Sequence, residues 1–282
     1  MNAQNHTTLR CKIVGIGAWG PGFNNWSELT DRLNEKRNSD LPAAITPKPG
    51  IIPANERRRS PLPVKIAVET SWQATQDSGI APKELACVFG SGLGDTEITD
   101  YMCRVLTTEL KQLSPTKFHN SVHNAAAGYW TISTQSMKSA NSIAAYHETA
   151  GLALLEAASQ CIQQNEPVLI SLFDTKAHKV YREIFENDLP FSASIVLAPA
   201  TMETPKTIVN MNMKIRGSKS EHSPIKSAAL QPLYEHNPAA KILFLFEALT
   251  EMNTAHSTPI STSTPLSQTT SLELSIEPAH QS

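Results

Sequence analysis

His147 and Glu148 are the two side chains of this sequence best placed to do chemistry. They stand within "SANSIAAYHETAGLALLEAASQC", Ser139 to Cys161. Asn141 to Tyr146 is a short β-prone run, His147-Glu148-Thr149 turns abruptly, and Ala150 to Cys161 is a helix of small residues. Strand, sharp turn and helix is the geometry that displays a nucleophile at the tip of an elbow. The tip carries neither Ser nor Cys. An imidazole beside a carboxylate could form an acid–base pair, but adjacent residues point differently at a turn and no third partner stands near them. The plainer reading of Glu148 is that it opens the helix, where a carboxylate suits the dipole. "HETAG" fails the H-E-x-x-H zinc pattern, because Gly151 stands where the second His is required.

The remaining candidates are weaker. "GSGLGD", Gly90 to Asp95, has the glycines of a phosphate loop but neither its Lys-Ser/Thr ending nor Rossmann spacing, so it reads as a tight strand-to-helix turn. Asp174 and His178 are metal-ligand types, but a loop after a strand accounts for both. The cysteines (Cys11, Cys87, Cys103, Cys161) show no CxxC or Cys/His metal spacing, and their apolar neighbours mark them as buried free thiols. They point to a reducing, cytoplasmic compartment. Neither a metal nor a cofactor is expected.

The elements that position these residues alternate. "CKIVGIGAWGPG" and "ELACVFGSGLGD" read as buried strands ending in glycine turns. "NWSELTDRLNEK", Pro63 to Gly79, Thr96 to Leu113 and Ala125 to Met137 read as helices, with Gly79 placed to close the second. Asn38 to Pro63, Pro-rich and carrying "RRRS" (Arg57 to Ser60), reads as a long loop. "PVLISLFD" and "SASIVLAPA" are further strands, "KTIVNMNMKIRG" (Lys206 to Gly217) an edge strand, and Asn237 to Met252 an apolar helix. After Asn253 the chain is rich in Ser, Thr and Pro and reads as disordered. Strands alternating with helices argue a layered α/β fold. The 282 residues, 40% hydrophobic and 18% charged, suffice for a sizeable core. A formal charge of −2 favours neither nucleic acid nor an anionic membrane. No apolar run approaches the roughly 20 residues of a membrane span. "MNAQNHTTLRCKIVGIG" lacks the order of a signal peptide.

"SPTKFHNSVHNAAAGYWTISTQSMKSANSIAAYHETAGLALLEAA" resembles the segment of β-ketoacyl synthases that runs into their catalytic cysteine. Ser114, Pro115, Asn124, Ala127 and Gly128 match that family's Ser-Pro opening and Asn-x-x-Ala-Gly stretch. "KIVGIGAWGPG" and "CVFGSGLGD" resemble its first two strands and turns. The resemblance covers roughly Arg10 to Lys214, the N-terminal half of the thiolase-like fold. It implies an α/β half-fold with a mixed sheet of about five strands packed with helices. The domains would be 10–217 (ketosynthase-like), 218–252 (an extension with one apolar helix) and 253–282 (a disordered tail).

Two departures carry the functional expectation. The family's cysteine position falls on His147, which would fill the vacated nucleophile pocket. No counterpart of the family's two histidines follows Gly217, since His222 and His236 sit in other sequence contexts. A thioester carrier needs a thiolate as nucleophile and leaving group, so the chain resembles chain-length factors, the non-catalytic partners of active ketosynthases, and the short subunits of aryl polyene clusters in particular. The implied partner is a catalytic β-ketoacyl synthase in a heterodimer whose acyl tunnel this chain walls. An acyl carrier protein, met by "RRRS", is a second partner the resemblance allows. Family dimers pair through the strand before the elbow, which puts Ser142, Ala144 and Tyr146 at the interface. Thr116, Lys117, Phe118, Asn120, Val122 and Asn124 would face the tunnel, with Phe118 setting chain length, because an extra methylene must displace packed wall atoms. The helix after the elbow, apolar almost all round, needs cover from Asn237–Met252 or from a partner. The competing readings are an acyl-thioester enzyme using His147 and a scaffold that binds acyl chains or carrier protein.

Overall fold

A computed structural model describes residues 8–35, 40–255 and 258–279. Residues 1–7, on which the signal-peptide expectation partly rests, lie outside them. Eight strands form one mixed sheet in the order β3-β2-β4-β5-β1-β6-β8-β7. They are β1 (Leu9–Trp19), β2 (Ala86–Gly90), β3 (Ala140–Ile143), β4 (Val168–Asp174), β5 (Phe191–Pro199), β6 (Val209–Arg216), β7 (Ile260–Pro265) and β8 (Ser271–Pro278). β2 runs parallel to β3 and to β4. The remaining neighbours pair antiparallel. Because β5 opposes both β4 and β1, strands β1 to β4 all point the same way and end at one rim.

The helices are α1 (Trp26–Asn34), α2 (Ala54–Arg59), α3 (Leu62–Ser78), α4 (Thr96–Leu106), α5 (Pro115–Asn120), α6 (Ala125–Thr134), α7 (Thr149–Gln164), α8 (Gln231–His236) and α9 (Leu243–Ala255). α3 and α6 cover one face of the sheet, α7 the other. Strands buried on both faces need apolar residues throughout, and every residue of β2, β4 and β5 is buried. Alternate side chains feed two cores. Leu169, Phe173 and Val196 meet α3, whereas Ile170, Leu172 and Ile195 meet α7. α3 lies against the backbone of β1, since a Cβ at Gly15 would sit 2.1 Å from the Ala74 carbonyl oxygen and one at Gly17 2.2 Å from that of Thr70. Only glycine permits this approach. Gly79 closes α3 at φ 69°, as its position predicts.

The structure corrects several expectations. The sheet has eight strands rather than about five because the tail, expected to be disordered, folds into the β7–β8 hairpin and joins it. Leu272, Leu274 and Ile276 alternate along β8 and are buried, so half of that strand supplies core despite its Ser/Thr-rich surroundings. β6 is therefore interior, flanked by β1 and β8. The Pro-rich stretch contains α2, whose Arg57 donates to the Pro49 carbonyl at 3.1 Å. The apolar segment after Asn237 opens as a 3-10 turn, Ala239–Ile242, before α9, and α8 precedes it. Cys103 is exposed, while the other three cysteines are buried. α7 is covered by this chain itself. The Ala239–Ile242 turn packs on it, and at Gly151 a Cβ would lie 2.9 Å from the Pro265 carbonyl oxygen. The cover is incomplete, for Leu152 and Leu155 stay half-buried and Ile162 is exposed. No helix among the described residues is long and apolar enough to cross a membrane.

Candidate functional site

β3 delivers the chain to a 3-10 turn, Tyr146–Glu148, from which α7 departs. The elbow is held from within. The Ala145 amide donates to Thr149 Oγ1 at 2.9 Å, and the Glu148 amide to the Ala145 carbonyl at 3.0 Å. Tyr146 takes φ 47°, a left-handed conformation that a bulky side chain rarely adopts. Such strain persists where the surroundings fix it, and it clusters at functional sites. The Tyr146 ring lies 3.9 Å from the His147 ring and 5.5 Å from Phe185.

His147 is half-buried, and its Nδ1 is buried without a hydrogen-bond partner. Burial, then the charges of Lys241 and His236, lower its pKa to about 4. Lys241 is buried, donates to the Glu235 carbonyl at 3.2 Å and stands 4.9 Å above the Tyr234 ring. Burial brings its pKa down to about 8, against the opposing pull of Glu235 and Glu148. His222 shares a 3.1 Å hydrogen bond with Thr264 Oγ1. Burial, Lys241 and His147 lower its pKa to about 4 as well. The fold thus brings His147, His222 and Lys241 within electrostatic reach of one another. The sequence reading set His222 and His236 aside and never considered Lys241. No local motif marks these residues, because only the tertiary path of the C-terminal segment carries them to the elbow. At neutral pH the two imidazoles are neutral and the lysine is mostly protonated. Imidazoles with pKa values this low are weak proton acceptors at neutral pH. The tip itself presents Tyr146 and His147, with no thiol beside them. Cys161 is about 18 Å along α7 from its start, and burial raises its thiol to about 12.

Asp174, fully buried at the end of β4, fixes the neighbouring turn. It accepts from Ser91 Oγ at 2.7 Å, the Gly92 amide at 3.0 Å and the Leu93 amide at 2.8 Å. The amides of "GSGLGD" therefore already hold a carboxylate, which is why the glycines form no phosphate loop. Burial lifts Asp174 to about 6 despite these donors. Among the described residues no cluster of His, Cys, Asp and Glu is fit to hold a metal.

The expected tunnel residues lie on α5 and the turn after it. Thr116, Lys117, Phe118, Val122 and Asn124 are exposed, Phe118 by 56%. Lys117 sits 3.7 Å over the Tyr101 ring. Asn120 points inward instead, its Nδ2 donating to the Arg59 carbonyl at 3.4 Å. Ser142 and Ala144 lie on or just after β3, which forms one edge of the sheet. The structure brings Tyr146 and Glu148 to the elbow with His147, and α5 stands apart from them.

A family model described as β-ketoacyl synthase, N-terminal domain, matches residues 25–255. The chain belongs to that family. No curated protein matches it. Among solved structures, this ketosynthase-family chain is similar to a ketosynthase (ApeO) in complex with its chain length factor (ApeC) from Xenorhabdus doucetiae. The TM-score is 0.68 at 17% identity, covering 95% of this chain and 99% of that one. It is similar to the ishigamide ketosynthase/chain length factor, with TM-score 0.71 at 12% identity over 95% and 99% of the two chains. A type II acyl-carrier protein in complex with its ketosynthase bound to the hexaketide, AntDE:AntF, gives TM-score 0.75 at 12% identity over 97% and 100%. At these identities the likeness establishes the ketosynthase fold.

Proposed function

We propose that this ketosynthase-family chain is a non-catalytic subunit that pairs with an active β-ketoacyl synthase and shapes its acyl tunnel, in the manner of a chain-length factor. The observation that carries the reading is the elbow itself. A strand–turn–helix like the one the resemblance assigns to the family's nucleophile is present, and its tip presents Tyr146 and His147 rather than the thiolate a covalent acyl carrier needs. Pairing is supported by β3, a sheet edge with half-exposed Leu152 and Leu155 on the helix behind it. Open edges recruit a strand from another chain. The complexes named for its structural neighbours, a ketosynthase with a chain length factor and a ketosynthase with an acyl-carrier protein, support the same partners here. An aryl polyene or related polyketide-type product follows from the resemblance.

Co-expression with a ketosynthase from the same gene neighbourhood tests this. The expected result is a one-to-one complex on size exclusion that makes longer chains than the ketosynthase alone. A monomer that binds no ketosynthase overturns it. The neutral imidazoles beside Lys241 favour one second reading, an acyl-thioester enzyme in its own right. That reading requires thioester turnover by the isolated chain and its loss in His147→Ala.

A further inference from the structure

At the end of the sheet away from β3, one face is left open. The β7–β8 hairpin packs its inner face on α9, and Met211 and Met213 of β6 point into the same core. The outer face holds a depression of about 940 Å³. Pairing register sets its side chains in rows. Arg10 stands opposite Asn212, Asn212 opposite Ser275, and Ser275 opposite Ser261. Lys214, two residues from Asn212, stands opposite Glu273. Side chains opposed across antiparallel strands share a face, and diagonal neighbours lie roughly 7–8 Å apart. Arg10 and Lys214 are such diagonal neighbours, and their side chains are long enough to meet around one small group. The charges of this face are satisfied unevenly. Glu273 is held by Arg216 at 2.7 Å, and Glu277 accepts from Asn212 Nδ2 at 3.0 Å. Lys12, next on the face, donates to the Met202 carbonyl at 3.1 Å. Among the described residues Arg10 and Lys214 have no hydrogen-bond or ion-pair partner. Both carboxylates are thus engaged while two cations are left over, which is complementary to an anion.

We propose that this depression binds a small hydroxyl-rich phosphate ester, a sugar or polyol phosphate, with its phosphoryl group between Arg10 and Lys214. A guanidinium matches two phosphate oxygens at once, and the lysine adds a point charge. Asn212, Ser275 and Ser261 run from that point across the sheet and offer donors and acceptors to hydroxyl groups. The outward side chains that β6, β7 and β8 contribute are polar, so the surface suits a hydrated ligand and not a hydrocarbon. β3 lies at the opposite edge of the sheet, and the proposal does not rest on pairing with a ketosynthase.

The test is calorimetric titration of the full chain at low salt with glucose 6-phosphate, glycerol 3-phosphate and inorganic phosphate. One-site binding of at least one of the two esters is expected, about threefold or more tighter than inorganic phosphate and weakening as salt is added. Arg10→Gln/Lys214→Gln should weaken it about tenfold. Both side chains are exposed, so the melting temperature should stay within a few degrees of the wild type's. Three results each overturn the proposal: saturable binding of neither ester, unchanged affinity in the double variant, or inorganic phosphate bound as tightly as the esters.

Discussion

The sheet has two edges, and they are finished differently. At β7 the outward groups of Ser263 are occupied by the chain itself. The Ser223 amide donates to the Ser263 carbonyl at 3.0 Å, the Ser263 amide donates to Ser223 Oγ at 2.9 Å, and Pro265, which has no amide hydrogen, ends the strand. At β3 there is no such cover among the described residues. Four residues pair with β2 and present their other side outward. Natural sheets blunt their edges to prevent unwanted pairing. A bare edge of this kind is the one on which the proposed pairing with a ketosynthase would fall.

The comparison can be broken first at the capped edge. Deleting residues 258–282 removes Leu272, Leu274 and Ile276, each at most 1% exposed. At about 1.5–3 kcal/mol per buried side chain, the loss rivals a typical stability of about 5–15 kcal/mol. The truncated chain should show no cooperative thermal transition. A normal melt would mean that β6 can close the sheet alone.

Next in size is the clamp beside the bare edge. Asp174→Ala leaves two amides and a hydroxyl without their acceptor and should cost about 3 kcal/mol, measured by urea unfolding. A cost below about 1 kcal/mol would show that the turn next to β3 stands without it.

The bare edge itself can be tested without disturbing the fold. Ser139 and Ile143 offer their carbonyls to β2, so the Ser142 amide points outward. Proline is tolerated at such edge positions. Ser142→Pro should keep its melting temperature within a few degrees, yet weaken the complex with the ketosynthase about 100-fold by calorimetry. Unchanged affinity would remove β3 from the interface.

The smallest effect is on pH dependence. His147 and His222 have folded pKa values of about 4, below their ordinary 6.5, so the unfolded chain binds more protons between these values. Their contribution to stability is complete above about pH 6.5 and is lost as pH falls toward 4. Asp174, raised from 3.8 to about 6, acts in the opposite sense: what its protonated form contributes is present below 3.8 and lost as pH rises through 6. A His147→Asn/His222→Asn chain should therefore lose less stability than the wild type between pH 7 and 5. Parallel melting curves for the two would contradict the assigned shifts.

What could be read in the sequence follows a physical divide. β1, β2 and β4 were legible because strands covered on both faces are continuous apolar runs, and glycine turns bound them. α3 was legible from its periodicity and from Gly79. The hairpin was not, because composition hid its period. In "SLELSIEP" every second residue is apolar, but the surrounding Ser and Thr outweigh them in any average. α2 was missed because an alanine and five polar residues between prolines carry no periodicity. At the site, the strand–turn–helix of the elbow could be read locally. His222 and Lys241 could not, since nothing near them in the sequence points to His147.

Asp174 also sets an order of events during synthesis. Its carboxylate gathers the turn after β2, and Asn237 Nδ2 donates to its backbone carbonyl at 3.2 Å. A chain still leaving the ribosome with β1 to β6 synthesised lacks this fastening, the turn that covers α7 and the hairpin that completes the sheet. Nascent chains halted before position 237 should be cut by protease at the Ser91–Asp95 turn, and chains halted well beyond the hairpin should resist.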